Sequence, residues 1–328
     1  MGVTTNDIAR ICQVSRTTVL RALNNKGRIS KTTREKILQT AKDLGYRPDL
    51  LARGLVKGRT MNIGVVVFDV KNQYFAQMLS AIEGKAQEEG YCVNIMLHDK
   101  DKRKEIEWIK RLSDYRMDGL ILSPVNMGEE FAIFLKGLGI PLVIIGNKVW
   151  EGLPFVGIRE KEAAREAVGR IKEAGYNRIF FVCPPLSGKN EGNIYTHEQR
   201  RTGFEEMLSE NPEIQGEILT GYDYGEMAVR IVQESKEKTA FFCSGDIFAL
   251  EIMKKLKREG FKAPKDYGIM GFDDIDFLDY ISPRLSTIYN SVEEVSKKAV
   301  ELLLSQIRGE TVPQNSYENY RIIDGETL

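Results

Sequence analysis

Three polar residues close to the amino terminus have side chains that can form hydrogen bonds to the edges of DNA bases. Arg16, Thr17 and Arg21 are one and four positions apart, so a helix through them carries all three on one side. A guanidinium group donates two parallel hydrogen bonds to the edge of a guanine, and an α-helix fits the major groove of B-form DNA. The pattern favours sequence-specific recognition of duplex DNA if a helix forms there.

Capping residues predict that helix and two neighbours. Thr4 with Asp7 has the pattern of a capping box, Ser15 and Ser30 stand where a second and a third helix begin, and Gly45 ends the third. Two helices joined by a four-residue turn and supported by a third form a helix-turn-helix. The apolar residues expected to face inward are Ile8, Ala9, Cys12, Val19, Ala22, Leu23, Ile37, Leu38, Ala41 and Leu44.

Charge is divided unequally along the chain, although its 328 residues have no net charge. Residues 1–60 contain 13 Lys and Arg against 4 Asp and Glu, a net charge of +9, which leaves −9 on the other 268 residues. A basic segment on an acidic body indicates that the segment meets a polyanion and the body does not. On charge alone, a chance cluster of solvated side chains is the alternative.

From Met61 onwards, apolar runs alternate with helical patterns, which is typical of parallel sheets. The length of the alternation predicts two similar doubly wound α/β lobes, and a final helix over Val292–Ile307 returns to the first lobe. Ligands of such sheets bind beyond the carboxyl ends of the strands. The predicted strands are Ile63–Phe68, Cys92–Leu97, Leu120–Ser123, Leu142–Ile145, Ile179–Cys183, Ala240–Cys243 and Gly268–Phe272.

The pattern of reactive residues argues against catalysis and metal binding. The two histidines, His98 and His197, have neither nucleophile nor zinc-ligand spacing, and the four cysteines lie far apart in apolar stretches, as expected of buried reduced thiols. Asp273 and Asp274 have no third metal ligand nearby in sequence. We therefore expect no enzyme activity and no cofactor. Without an 18-residue apolar run or a secretory signal pattern, we expect a cytoplasmic protein with no membrane partner.

The amino-terminal motifs together resemble those of the lactose-repressor (LacI/GalR) family of bacterial transcriptional regulators. Residues 3–10 are similar to the family's V-T-x-x-D-V-A, residues 14–19 to its V-S-x-x-T-V, and residues 21–24 to its R-V-L-N. Residues 30–48 resemble the family's third helix and the segment that follows it, and the similarity continues to about residue 309. Several motifs in one order are far more specific than a lone helix-turn-helix.

The resemblance implies a role for each polar residue of the head. Arg16, Thr17 and Arg21 match the positions that read bases. Leu20 replaces a usual Ser, so a phosphate hydrogen bond is expected to be lost there and affinity to depend more on the basic side chains. The residues implied to hold phosphates, which position the head without specifying sequence, are Thr18, Asn24, Arg28, Ser30 and Thr33.

Residues 49–60 resemble the family's hinge helix, which orders on DNA and enters the minor groove. Ala52, Arg53 and Leu55 form an A-R-x-L pattern, and Leu55 matches the leucine that wedges a base step. Gly54 replaces a usual Ser and costs about 1 kcal/mol in a helix, so the free hinge is expected to be disordered and to order on DNA. For Leu55, an ordinary linker leucine is the alternative.

The body resembles the family's effector domain, which is similar to periplasmic sugar-binding proteins. Motif matches and strand ends imply that polar and aromatic side chains hold a sugar or related metabolite between the lobes. Phe75 as plain helix core and Asp246 as a helix cap remain alternatives. The candidate effector-binding residues are Asn72, Tyr74, Phe75, Ser123, Asn147, Lys148, Arg200, Tyr222, Asp246 and Asp273.

Three departures from the family pattern affect the identity of the ligand. Gln73 replaces a Pro, Gly245 replaces an Asn, and Asn147-Lys148 stands where many members have Asp-Arg. Exchanging a carboxylate for an amide while keeping a cation favours a more acidic ligand than a plain hexose.

We therefore expect a transcriptional regulator, most simply a repressor, whose operator affinity is controlled by a small effector. The expected domains are 1–48 (helix-turn-helix), 49–60 (hinge) and 61–328 (body), with lobes of 61–158 plus 289–328 and of 159–288. A homodimer is expected because one short helix reads too few bases, whereas two on a pseudo-palindrome read enough. A periplasmic-type solute carrier would not need the basic head, and a sugar-processing enzyme would need an acid/base pair.

Overall fold

The computed structural model describes residues 3–46, 58–183 and 192–328. Contacts between residues divide the chain after Thr60 into an amino-terminal unit and a body. No helix of the described residues is both long enough and apolar enough to cross a membrane.

The amino-terminal unit has three short helices, α1 (Thr5–Cys12), α2 (Arg16–Leu23) and α3 (Lys31–Asp43). The expected capping box is confirmed, because Thr4 accepts the Asp7 N–H at 3.3 Å and donates its own N–H to the Asp7 carboxylate at 3.0 Å. Each of these two hydrogen bonds satisfies a backbone N–H group that has no partner within the helix.

The core of this unit forms where the three helices meet. Ile8, Val19 and Ile37 are fully buried, one from each helix. Leu38, expected to face inward, is 45% exposed. The inward stripe of α3 passes through Ile37 and Ala41, and the adjacent position points about 100° away from it.

The first lobe is built on a parallel six-stranded sheet with the order β11-β5-β4-β3-β1-β2. Its central strands are fully buried Val, Ile and Leu runs, as expected for a sheet covered on both faces. The strands are β1 (Asn62–Val67), β2 (Cys92–Leu97), β3 (Gly119–Leu122), β4 (Leu142–Ile145), β5 (Phe155–Ile158) and β11 (Asn315–Glu318).

The second lobe has a parallel four-stranded sheet with the order β7-β6-β8-β9 and a separate antiparallel pair of β10 and β12. Its core is rich in phenylalanine, and the rings of Phe181 and Phe204 stack with centroids 5.4 Å apart. The strands are β6 (Arg178–Val182), β7 (Gln215–Leu219), β8 (Thr239–Cys243), β9 (Gly268–Met270), β10 (Thr287–Tyr289) and β12 (Arg321–Ile323).

Helices cover the sheets of the body. The expected return of the chain to the first lobe is seen in the last helix, where Leu303 packs so closely on Gly119 that a Cβ there would lie 2.7 Å from a leucine methyl group. The helices are α4 (Gln73–Glu88), α5 (Lys102–Asp114), α6 (Glu129–Gly137), α7 (Glu160–Glu173), α8 (Tyr195–Glu210), α9 (Tyr224–Glu234), α10 (Asp246–Arg258), a 3-10 helix (Asp276–Tyr280) and α11 (Val292–Ile307).

The carboxyl-terminal residues differ from the expected boundary, which assigned all of 289–328 to the first lobe. β11 pairs with β5 of that lobe, but β12 pairs with β10. Thr327 then accepts the Ile269 N–H at 2.9 Å and donates its hydroxyl to the Ile269 carbonyl at 2.7 Å. The end of the chain therefore packs on the second lobe.

The cysteines also depart in part from expectation, since Cys92 is exposed whereas the other three are buried.

Candidate nucleic-acid interface and effector cleft

The outer face of α2 carries the three residues expected to read bases. Arg16, Thr17 and Arg21 are all exposed, while Val19 and Ala22 on the opposite face are buried. The burial of one face fixes which side chains α2 presents to a partner. Gly27, with φ +77°, keeps space beside this face, because a Cβ there would meet the Arg21 Cδ at 3.3 Å.

Hydroxyl groups mark the amino-terminal ends of α2 and α3. Ser15 accepts the Thr18 N–H and Ser30 the Thr33 N–H, both at 3.1 Å, which confirms the two expected caps. The hydroxyls within each pair lie 2.8 and 2.7 Å apart. Helix amino termini attract phosphate oxygens because their N–H groups and dipole point outward, so Thr18, Ser30 and Thr33 stand where phosphate contacts are chemically favourable.

The other two phosphate candidates lie near the carboxyl end of α2. Asn24 is half-buried and donates its side-chain amide to the Leu20 carbonyl at 2.8 Å, and Arg28 is exposed. The hinge candidates Ala52, Arg53 and Leu55 lie outside the described residues.

Arg200 is the centre of a buried polar cluster in the body. It lies on α8, is 5% exposed, and donates to Glu160 of α7 at 2.7 Å and to the Ser244 carbonyl at 2.6 Å. Its guanidinium lies 3.5 Å from the ring centroid of Phe272 and 3.9 Å from the carboxylate of Asp273. Burial raises the pKa of Glu160, and the guanidinium opposes that rise. The sequence interpretation predicted Arg200 and Asp273 but not Glu160.

Asp273 lies beside Arg200 and has a strained backbone. Its φ of 127° is rare for a residue with a side chain, and such strain concentrates at functional sites. Asn290 donates its amide to the Asp273 carboxylate at 2.9 Å. Burial raises the pKa of Asp273 well above its ordinary value, despite the nearby guanidinium of Arg200.

Tyr74 connects this cluster to the first lobe. Burial, reinforced by the charges of Asp273 and Glu160, raises the pKa of its phenol, and its ring packs against the cores of both lobes. Phe75 lies 5.2 Å from the Tyr74 ring and packs on the core of the first lobe. Asn72 caps α4 by accepting the Tyr74 N–H at 3.2 Å.

Asn147 and Lys148 lie in a second group that joins the lobes. Asn147 donates to the Asn193 carbonyl at 3.0 Å and accepts the Thr196 N–H at 3.0 Å. Lys148 donates to the Tyr317 hydroxyl at 2.8 Å and lies over three aromatic rings. Asn193, which the sequence interpretation missed, donates in turn to the Lys148 carbonyl at 2.7 Å.

The remaining candidates are dispersed. Ser123 is buried, and its carbonyl lies 3.1 Å from the imidazole Nε2 of His98. Asp246 is fully buried at the start of α10, where it accepts the Thr287 hydroxyl at 2.6 Å and the Ile275 N–H at 3.0 Å. Tyr222 is 88% exposed, so it is not brought together with the buried cluster.

Buried polar atoms without a partner in the described part of the chain also lie around Arg200. They are the Ser244 Oγ, the Asn290 Oδ1 and the His197 Nδ1. Burial lowers the pKa of His197 to about 3, so this imidazole is neutral at pH 7. Buried polar groups in folded proteins are nearly always hydrogen-bonded, so these atoms are suited to a polar ligand. The described residues hold no group of three or more side chains able to bind a metal ion.

Two family models match this chain. Residues 4–49 match the model described as bacterial regulatory proteins, lacI family, and residues 168–328 match a periplasmic binding protein-like domain. Catabolite control protein A of Priestia megaterium is 31% identical over 95% of each chain.

Solved structures are similar over nearly the whole length. The lac repressor dimer bound to operator and the anti-inducer ONPF has a TM-score of 0.86 at 22% identity, covering 100% of this chain and 99% of that one. A LacI family transcriptional regulator from Silicibacter pomeroyi has a TM-score of 0.80 at 26% identity, covering 99% of both chains.

Proposed function

Because the chain belongs to the lacI family of bacterial regulatory proteins, we propose that it is a transcriptional repressor whose operator affinity is set by a small effector bound in the body. The observation that carries this proposal is the exposed face of α2, with Arg16, Thr17 and Arg21 on a unit of net charge +9. Relatives of this chain include HTH-type transcriptional repressors and a ribose operon repressor, and the proposed function needs no catalytic group.

On DNA, α2 enters the major groove. Arg16, Thr17 and Arg21 contact base edges, while Thr18, Asn24, Arg28, Ser30 and Thr33 hold phosphates. The chain 1–48 acts as the reading head and 49–60 as the hinge, where Ala52, Arg53 and Leu55 contact the minor groove. Since chromosomal DNA is the target, the protein works in the bacterial cytoplasm.

Selection from a pool of random duplexes tests this proposal. We expect one pseudo-palindromic sequence to be enriched, with log affinity falling linearly against log salt at about −0.9 per phosphate contacted. Arg21→Ala is expected to weaken binding to that sequence by about 1–3 kcal/mol and to relax the preference at one position. Equal weakening on every duplex would contradict the base-reading role, and no selection at all would overturn the function.

The effector is a polyhydroxy compound without an acidic group. Asp273 interacts electrostatically with the carboxyls of both Glu160 and Asp246. Arg200, which donates to Glu160, is the only cation among the described residues that is buried. An anionic ligand here would lose its hydration without gaining a free cation, because Arg200 already donates to Glu160 and to the Ser244 carbonyl. Lys148, on which the expectation of an acidic ligand rested, is held by Tyr317.

Matched sugars test the charge of the effector. The melting temperature of the full chain is measured with pentoses and hexoses, each beside its amino, uronic acid and phosphorylated derivative. A ligand at 100 times its dissociation constant adds about 2.7 kcal/mol of stability. We expect stabilisation by a neutral or amino member and none by its acidic counterparts. Stabilisation by the acidic derivatives and not by the neutral or amino sugars would instead support an acidic effector.

The active species is a homodimer, in which two heads read the two halves of the operator. A groove of about 690 Å³ lies along α4 and α11 and ends at Asp276, and the next residues of the 3-10 helix expose Phe277 (51%) and Tyr280 (83%). Exposed aromatic side chains beside an open groove are suited to a protein interface. We therefore assign the dimer contact to this surface, the α4–α11 face.

A further inference from the structure

Leu20 lies in the middle of the exposed face of α2. Helical geometry puts it between Arg16 and Thr17 around the helix axis, one turn further along, and next to Arg21. Its side chain is 37% exposed, while its neighbour Val19 is fully buried. A large apolar side chain is thus surrounded by the groups that face DNA in the proposed function.

The fold itself does not use the Leu20 side chain. The apolar core of the head is formed by other residues, and Leu20 belongs neither to its buried members nor to the partly buried ones packed on it. Ser15 and Asn24 cap the two ends of α2. Leu20 takes part in these caps only through its backbone carbonyl, not through its side chain. Single exposed leucines are common on proteins, so it is the position of Leu20 on this face that carries the inference.

The chemistry of the major groove identifies the partner. Base edges present hydrogen-bond donors and acceptors there, and the only apolar group among them is the 5-methyl of thymine. We propose that Leu20 reads a thymine by packing on this methyl group, an assignment that rests on the proposed function. Leu20 and Arg21 are about 1.5 Å apart along the helix axis, so the thymine lies within one or two base pairs of the base that Arg21 contacts.

The test removes one methyl group from the DNA. In the operator selected as above, each thymine is replaced in turn by uracil, which keeps every hydrogen-bonding group of the base edge. In each half-site we expect one thymine at which uracil weakens binding of the full-length protein about fourfold, the effect of one buried methyl group. A selected operator in which no such thymine exists overturns the proposal while leaving the regulator function intact.

A variant links the effect to Leu20. Leu20→Ala is expected to bind the thymine and uracil operators equally, whereas Leu20→Met keeps an apolar contact and the preference. The matched control is Leu38→Ala, which truncates another exposed leucine of the head (45%) and should preserve the discrimination. If Leu20→Ala still distinguishes thymine from uracil, Leu20 is not the reader.

Discussion

Arg200 determines the charge balance of the cleft, because its guanidinium is the partner of the buried carboxylate of Glu160. Replacing Arg200 by Met leaves the buried carboxyl of Glu160 without its partner, and replacing Glu160 by Met leaves Arg200 with only the more distant Asp273. Removing one partner of a buried pair costs about 3–5 kcal/mol. Replacing both removes the two charges together, so we expect the double variant to lose much less than the sum of the single variants. Urea unfolding of the four proteins measures this coupling, and additive losses would contradict the pairing.

Asp246 makes the stability of the body depend on pH. Burial raises its pKa from 3.8 to about 6, although it accepts hydrogen bonds from Thr287 and Ile275. The folded protein therefore favours the protonated carboxyl. The stability that this protonated carboxyl contributes is fully present below its pKa of about 4 in the unfolded chain. It is lost as the pH rises through its pKa of about 6 in the folded protein.

We therefore expect Asp246→Asn to flatten the fall in the free energy of unfolding between pH 4 and pH 7. The flattening should be on the order of 2–3 kcal/mol, since one pKa unit corresponds to about 1.4 kcal/mol. Urea midpoints of the wild type and of the variant at several pH values check this. Parallel pH profiles would show that the carboxyl of Asp246 does not titrate in this range.

At the level of elements, the turn between α2 and α3 controls how the reading face is presented. Gly27 (φ +77°) and Gly45 (φ +62°) both adopt left-handed backbone conformations, but only a Cβ at Gly27 would contact Arg21. Ala at either position should cost about 1–2 kcal/mol of stability. Gly27→Ala alone should also weaken operator binding.

Measuring operator affinity and unfolding of both glycine variants at one temperature separates the two effects. Gly45→Ala, where a Cβ meets nothing within 4 Å, is the control for backbone strain. Equal losses of affinity in both variants would mean that backbone strain lowers the affinity and that the space beside Arg21 does not matter.

The sequence predicted elements whose signals are local. Caps such as Thr4 with Asp7 act within three residues, and strands such as β3 and β4 are continuous apolar runs, so both were found. β7 alternates exposed and half-buried residues, and β12 is only three residues long. Their strand character depends on pairing with distant segments, which leaves little trace in the sequence.

The cleft was predictable to the extent that its residues belong to motifs. Arg200 and Asp273 stand in recognisable patterns. Glu160 lies 40 positions from Arg200 and Asn193 lies 46 from Asn147, so only the fold brings each pair together. The same distant contacts give Asn147, which the sequence predicts to contact the ligand, bonds that connect the lobes.

At the scale of the whole molecule, side-chain amides connect the two lobes of the body. Asn147 binds the Asn193 carbonyl and the backbone of Thr196, while Asn193 binds the carbonyls of Lys148 and Asn126. An effector that favours closed lobes binds less tightly when the closed population falls. We expect Asn147→Ala and Asn193→Ala to weaken effector binding similarly.

Isothermal titration of both variants and of the double variant tests this connection. If the two amides act as one unit, the double variant loses little more than either single variant. Asn94→Ala, which removes an amide of β2 bonded to Asn62, is the control away from the lobe junction. A loss confined to Asn147→Ala would instead assign that residue to the ligand.

The proposed dimer makes the α4–α11 face necessary for DNA binding, although it lies on the body. Tyr280 exposes 83% of its side chain on this face, and a carboxylate in its place would bring two like charges together across a two-fold contact. Tyr280→Asp should therefore sediment as a monomer. In the dimer, binding of one head holds the second head at a high effective concentration near its half-site. A monomer lacks this effect, so its operator affinity should fall about 10²–10⁴-fold.

Tyr115, 63% exposed at the end of α5, provides the matched control, because Tyr115→Asp adds the same charge away from the α4–α11 face. Its sedimentation and operator affinity should remain those of the wild type. A dimeric Tyr280→Asp protein with unchanged affinity would place the contact elsewhere. A monomer that still bound the full operator tightly would show that one head suffices, because binding would then gain nothing from pairing.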